Sequence, residues 1–275
     1  FALAILIALF RGLFFIPISN PAELNDNGIT IPIAGVIPFA EDEDSEDNEM
    51  LNQSMESLVV NINKFLGNEQ NAVMFTSPTS KCGKSYISRN IAKRYQALGK
   101  KVLLIDSDLK RGKQHIVFKT RTMRLDDFFN ISASSIEKYK MDENLYVLPR
   151  ISGLKSSFEV LNNPRYDQTM ERLKQLFDLV IIDCPPILNV SDTLLLASKA
   201  DINILLCRHD QTKINEVKQS LSIFSQIGQQ PECIVYNSYQ KPSSYYGYYG
   251  IYADYNYQYY AQKYLYNEYK YEKED

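Results

Sequence analysis

AVMFTSPTSKCGKS, residues 72–85, decides the fold. Its opening AVMFT is an apolar run without alternation, the pattern of a strand buried on both faces. A turn-rich stretch follows, and Gly83-Lys84-Ser85 then opens a helical pattern over 84–98. The spacing fits the phosphate loop GxxxxGK[ST], with Pro78 in place of the first glycine. Gly83 lets the backbone approach a phosphate, the helix N-terminus favours an anion, and successive N–H groups complete the cradle. The candidate nucleotide-binding residues are therefore Ser80, Lys81, Cys82, Gly83, Lys84, Ser85 and Tyr86. Lys84 would reach the β- and γ-phosphates, and the Ser85 hydroxyl would complete a Mg²⁺ shell.

Outward from this loop, β-rich runs at 101–106, 145–148, 178–183, 202–207 and 233–237 alternate with helical patterns at 51–66, 84–98, 165–177, 191–199 and 213–227. That alternation predicts an α/β, P-loop NTPase-like fold, a mostly parallel sheet with helices on both faces. In such sheets ligands bind beyond the C-terminal ends of the strands. Asp106 and Asp108 follow the run at 101–106, and Asp183 ends the run at 178–183. One such aspartate is ordinarily a turn or a helix cap. Three beside a phosphate loop suit a hard, oxygen-seeking cation, so ATP and Mg²⁺ are the expected ligands.

A chain of 275 residues allows one large domain with attached tails, or two small domains. With 45% hydrophobic and 23% charged residues, it is neither collagen-like, low-complexity nor a disulfide scaffold. Thirty basic against 33 acidic residues argue against a nucleic-acid partner. Four scattered cysteines without a CxxC pair, and two histidines, argue against zinc and for reduced thiols in the cytosol. Cys82 and Cys184 are expected to be buried small hydrophobes, and His115 a hydrogen-bonded structural residue.

Both ends are unusual. FALAILIALF (1–10) followed by Arg11 reads as the last part of a transmembrane helix over 1–16, or else as a buried helix of a soluble domain. Residues 17–49 are expected to be a juxtamembrane linker. It holds a short strand in ITIPIAGVIPF (29–39) and ends in EDEDSEDNE (41–49), whose crowded carboxylates stay solvated. The folded domain is expected over 50–240. Of 20 tyrosines, 14 fall between Tyr239 and Tyr271, mixed with Gly, Asn, Gln and charges in no single period, so 241–275 is expected to be a flexible tail.

LLIDSDLKR (103–111) resembles the Walker A′ motif of the bacterial tyrosine kinases, and FDLVIIDCPPILNVSD (177–192) resembles their Walker B segment. NPAELNDNGITIPIAGVIP (20–38) resembles the stretch after their second transmembrane helix, and FEVL (158–161) part of another family stretch. The Tyr-rich tail is similar to their autophosphorylation cluster, and the whole is most similar to the single-chain Wzc type. The resemblance implies an ATP-dependent protein tyrosine kinase at the bacterial inner membrane that phosphorylates its own tail in trans. It implies a catalytic set of Lys84, Asp106, Asp108 and Asp183. Ser85 and Asp108 would serve Mg²⁺, Asp183 would hold it directly or through water, and Asp106 is the candidate base. The acceptors would be Tyr245, Tyr246, Tyr248, Tyr249, Tyr252, Tyr255, Tyr257, Tyr259, Tyr260, Tyr264, Tyr266, Tyr269 and Tyr271. Implied partners are a second copy of the chain, a tyrosine phosphatase, and the machinery of capsule or exopolysaccharide synthesis and export.

The chain departs from that family at Pro78, at Lys81-Cys82 in mid-loop, and in the order of Lys110-Arg111. Its helix at 51–66 has Gln53, Glu56 and Val59 where the ring-forming ExxRxxR pattern would stand. Two other functions fit the same residues. One is a MinD/ParA-like ATPase, although Thr79 stands where those proteins carry lysine and they have no Tyr tail. The other is a nucleotide-binding scaffold with weak or no kinase activity.

Overall fold

The computed structural model describes residues 16–39 and 49–240. The apolar segment at 1–15, the acidic run up to Asn48 and every expected phosphoacceptor tyrosine lie outside these described residues. Among the described residues, no helix is long and apolar enough to cross a membrane.

Eight strands form one sheet: β1 Ile33–Pro38, β2 Ala72–Thr76, β3 Val102–Asp106, β4 Lys140–Asp142, β5 Leu145–Leu148, β6 Leu179–Asp183, β7 Ile202–Arg208 and β8 Cys233–Tyr239. Their order is β1-β8-β7-β2-β6-β3-β5-β4, and only the edge strand β4 runs antiparallel to its neighbour. β2, β3, β5 and β6 are buried along their whole length, which is why they read as unbroken apolar runs. Alternate residues feed two cores. Met74, Leu103, Ile105, Val180 and Ile182 face one side of the sheet, and Val73, Phe75, Leu104 and Ile181 face the other. The expected parallel α/β architecture is what the chain adopts.

The main helices occupy the two faces: α1 Ala22–Asp26, α2 Glu49–Phe65, α3 Lys84–Ala97, α4 Gln114–Val117, α5 Leu125–Phe129, α6 Ser157–Leu161, α7 Pro164–Leu176, α8 Asp192–Ala197 and α9 Ile214–Gln226. α2 shows the logic. It buries Leu51, Met55, Leu58, Val59 and Ile62, one stripe at helical spacing, against β1 and α3. Asn61 Nδ2 donates to Ala34 O at 2.7 Å and ties the helix to the edge strand. α7 starts where Asn163 accepts the N–H of Arg165 and Pro164 takes the first turn.

Within the linker expected over 17–49, Ile18, Leu24, Ile29 and Ile33 are buried in the main core, and the strand expected there, β1, pairs in parallel with β8. Pro32 and Pro38 bracket the strand, and the apolar residues between them cover an edge of β8 that would otherwise stand open.

The strand order also fixes where chemistry can occur. β6 lies between β2 and β3. The three sequence features at the finish of those strands (loop 77–83, Asp106 and Asp183) consequently meet at the C-terminal end of the sheet.

Candidate active site

The loop from Ser77 to Gly83 joins β2 to α3. Lys81 (φ 69°) and Gly83 (φ 90°) both take left-handed backbone. A Cβ on Gly83 would lie 2.1 Å from Asn237 Nδ2, so conformation and space both require glycine there. The loop's carbonyls are all held from behind. Ser77 Oγ donates to Thr79 O at 2.6 Å, Gln211 Nε2 to Ser80 O at 2.8 Å, Arg208 Nη1 to Lys81 O at 2.8 Å, and Asn237 Nδ2 to Cys82 O at 2.9 Å. Among the described residues, the N–H groups of Ser80, Lys81, Cys82 and Gly83 donate to no protein atom. Carbonyls tied outward and amides left unbound make an anion receptor, and the first turn of α3, which no side chain caps, adds to it. Pro78 has no N–H to contribute. Its carbonyl instead accepts the Leu188 N–H at 3.2 Å, which pins the loop's start to the segment after β6. Lys84 is almost fully buried and rests with Nζ 3.1 Å from Ser77 Oγ, a neutral partner it can leave for a phosphate.

Beside this receptor stand two buried carboxylates. Asp106 and Asp183 are register partners at the ends of β3 and β6, 1% and 2% exposed. Asp106 Oδ2 accepts the Gln114 N–H at 2.9 Å, and its Oδ1 is buried without a partner. Gly112 passes so near that a Cβ there would fall 2.0 Å from that oxygen. Asp183 Oδ2 accepts from Gln114 Nε2 at 2.9 Å. Burial pushes the pKa of Asp106 up, and the neighbouring charge of Asp183 pushes it further. Burial also raises Asp183, against the pull of the Ser85 and Gln114 hydrogen bonds and the Lys84 charge. Asp108 is half-buried, and its Oδ1 accepts the Arg111 N–H at 2.8 Å.

Adjacent buried carboxylates with a bare oxygen are unfavourable alone and favourable around a cation. Among the described residues, no group of three or more His, Cys, Asp or Glu side chains is arranged to hold a metal unaided. Mg²⁺ does not need one, since it takes one or two carboxylates and fills its octahedron with phosphate and water oxygens. The residues fit it.

The expected site residues thus converge, with one exception. The Tyr86 N–H donates back to Gly83 O at 3.1 Å, and Arg89 lies over its ring, so Tyr86 belongs to the helix more than to the loop. Cys82 and Cys184 are fully buried as expected, and burial drives the Cys184 thiol pKa far up, which keeps it protonated and inert. The residues that hold the loop and the acids (Arg208, Gln211, Asn237 and Gln114) carry no sequence motif. They act from the end of β7 and the turn after it, from β8 and from α4, and nothing local marks them.

A sequence family described as an AAA domain matches residues 79–233. CapB of Staphylococcus aureus is 30% identical over 189 residues, 66% of this chain and 82% of CapB, and its name places it among tyrosine-protein kinases. The chain belongs to the bacterial tyrosine kinase family. EpsB of Ralstonia solanacearum is 32% identical over 194 residues, covering 68% of this chain and 25% of EpsB. The tyrosine-protein kinase Wzc of Salmonella typhi is 28% identical over 284 residues, 93% of this chain and 39% of Wzc. This bacterial tyrosine kinase chain therefore spans between a quarter and two-fifths of the length of those two relatives. The kinase domain of Escherichia coli tyrosine kinase ETK shares the fold, with a TM-score of 0.71 and 23% identity over 84% of this chain and all of that one.

Proposed function

We propose that this chain is the catalytic part of an ATP-dependent protein tyrosine kinase whose acceptors are its own C-terminal tyrosines, presented by a second copy. The observation that carries the proposal is the meeting of an anion receptor with unbound amides and a buried carboxylate pair with a bare oxygen, on adjacent strands.

In this reading the amides of Ser80 to Gly83 bind the phosphates of ATP, and Lys84 Nζ moves from Ser77 Oγ onto them. Ser85, Asp108 and Asp183 would hold Mg²⁺, which supplies charge neutralisation at the phosphates. Asp106 takes the proton of the tyrosine hydroxyl as its oxygen attacks the γ-phosphorus. The bond to the β–γ bridging oxygen breaks, and ADP carries the electron pair away. The raised pKa of Asp106 supports that role, because a carboxylate that holds a proton more tightly is a better base. Tyr245 to Tyr271 follow directly on β8, whose Asn237 already braces the loop.

The folding unit would run from about residue 17 to residue 240. Anchorage at the inner membrane by residues before 17, a tyrosine phosphatase that reverses the reaction, and a role in capsule or exopolysaccharide synthesis and export complete the proposal. Relatives named as tyrosine-protein kinases, one of a cps region and one Wzc, support it. A mixing experiment tests it. Lys84→Met chain, with its tail intact, is incubated with a chain truncated after residue 240, ATP and MgCl₂. Phosphotyrosine on the Lys84→Met chain is expected; none there, with an active full-length control, overturns transfer in trans.

A further inference from the structure

We propose that Gln114 is the positioning residue that joins the two buried carboxylates and the phosphate loop into one unit, so that cation and nucleotide binding are linked through it. The inference rests on the kinase reading above and deepens it.

Gln114 is the first residue of α4 and is fully buried. Its backbone N–H goes to Asp106 Oδ2 at 2.9 Å; its Nε2 goes to Asp183 Oδ2 at 2.9 Å and to Ser85 O at 3.1 Å. One residue thus touches the end of β3, the end of β6 and the first turn of α3. The amide can stand only one way round. Both groups facing Nε2 are acceptors, a carboxylate and a carbonyl, and a reversed amide would set oxygen against oxygen.

That orientation leaves Gln114 Oε1 buried with no partner among the described residues. A bare buried acceptor works against folding. Methionine would fill nearly the same volume without it, so packing does not explain glutamine here. What the amide adds is direction. It holds the Asp183 carboxylate and fixes the Ser85 carbonyl, so the helix turn under the phosphates cannot shift independently of the acids. Among the described residues, the amide cradle and Lys84 make no hydrogen bond to Gln114 and should bind phosphate without it.

The test uses the purified chain, a fluorescent ADP analogue, and buffers with MgCl₂ or with EDTA. Wild type, Gln114→Met and Gln114→Asn are titrated, and the melting temperature of each is measured without ligand. Asparagine keeps the amide but is one methylene too short to reach both acceptors. In EDTA both variants should bind within about twofold of wild type, while the gain on adding MgCl₂ should shrink by about tenfold or more. Melting temperatures should fall only modestly, because the Asp183 carboxylate and the Ser85 carbonyl lose a donor, and this loss is common to both buffers and does not weaken binding in EDTA. An unchanged Mg²⁺-dependent gain in both variants overturns the inference. So do parallel losses of binding in both buffers, which mark a merely structural residue. If Gln114→Met fails to fold, the asparagine variant decides by the same readouts. If wild type itself shows no Mg²⁺-dependent gain, the kinase reading fails, and this inference falls with it.

Discussion

Carboxylates sit at both ends of the same parallel sheet, and they meet opposite fates. At the end where strands begin, Asp201 Oδ2 accepts the N–H groups of Asn71 and Ala72 at 3.0 and 2.9 Å, and its Oδ1 pairs with Lys174 at 2.8 Å. Asp178 accepts the Lys101 N–H at 2.8 Å, and Glu232 accepts that of Asn203. Where strands finish, Asp106 and Asp183 must borrow donors from Gln114, and one oxygen goes without. The cause is the polarity of a parallel sheet. Its first end presents unpaired N–H groups, which match a carboxylate, and its last end presents carbonyls, which do not. An acid at the first end holds the fold. An acid at the last end is held against local electrostatics and is there for something else.

Removing the positive partner of the last end should have the largest effect. Lys84→Met is expected to cut phosphate transfer at least about a hundredfold, measured as initial phosphotyrosine rate, with the ligand-free melting temperature kept. Asp106→Asn comes next, slowing transfer about a hundredfold while nucleotide binding changes less. It also carries a stability signature of definite sign. The folded pKa of Asp106 lies above its unfolded value, so its contribution to the stability of the metal-free protein is fully present in acid and is lost as pH rises through the folded pKa. Asp106→Asn should therefore match wild type near pH 4 and be more stable than wild type at pH 8 in EDTA; urea midpoints at the two pH values decide it.

At the other end the signs reverse. Asp201→Ala should lower stability by about 1–3 kcal/mol, since two backbone N–H groups and Lys174 lose their acceptor, yet leave the transfer rate per folded molecule unchanged. Asp178→Asn, nearer solvent, should cost less than about 1 kcal/mol in the same urea titration. A large loss of transfer in Asp201→Ala without unfolding would break the contrast between the ends.

Much of this was legible in the sequence. Runs such as AVMFT and DLVIID announced buried parallel strands, and the placement of Gly83-Lys84-Ser85, Asp106 and Asp183 after them announced the site. Two things were hidden. The strand in ITIPIAGVIPF was legible, but its pairing with β8 was not, because Pro32, Pro38 and the acidic run beyond set it apart from the other strands. Helices of four or five residues, α4 among them, are too short to show a period, so Gln114 lay unmarked in a basic stretch. The bracing of the loop by Arg208, Gln211 and Asn237 depends on β7 lying beside β2 and β8 beside β7, a fact of topology that no local pattern encodes.

The central claim is that a phosphate bound at Lys84 is delivered to a tyrosine of this same polypeptide. Its most direct test is residue-mapped mass spectrometry of the phosphatase-treated chain after incubation with ATP and MgCl₂, beside Lys84→Met treated identically. Phosphate on several of the tyrosines from Tyr245 to Tyr271 in the wild type, and on none in Lys84→Met, is the predicted result. A wild-type chain that hydrolyses ATP but gains no phosphotyrosine, or a Lys84→Met chain phosphorylated like the wild type, would contradict it.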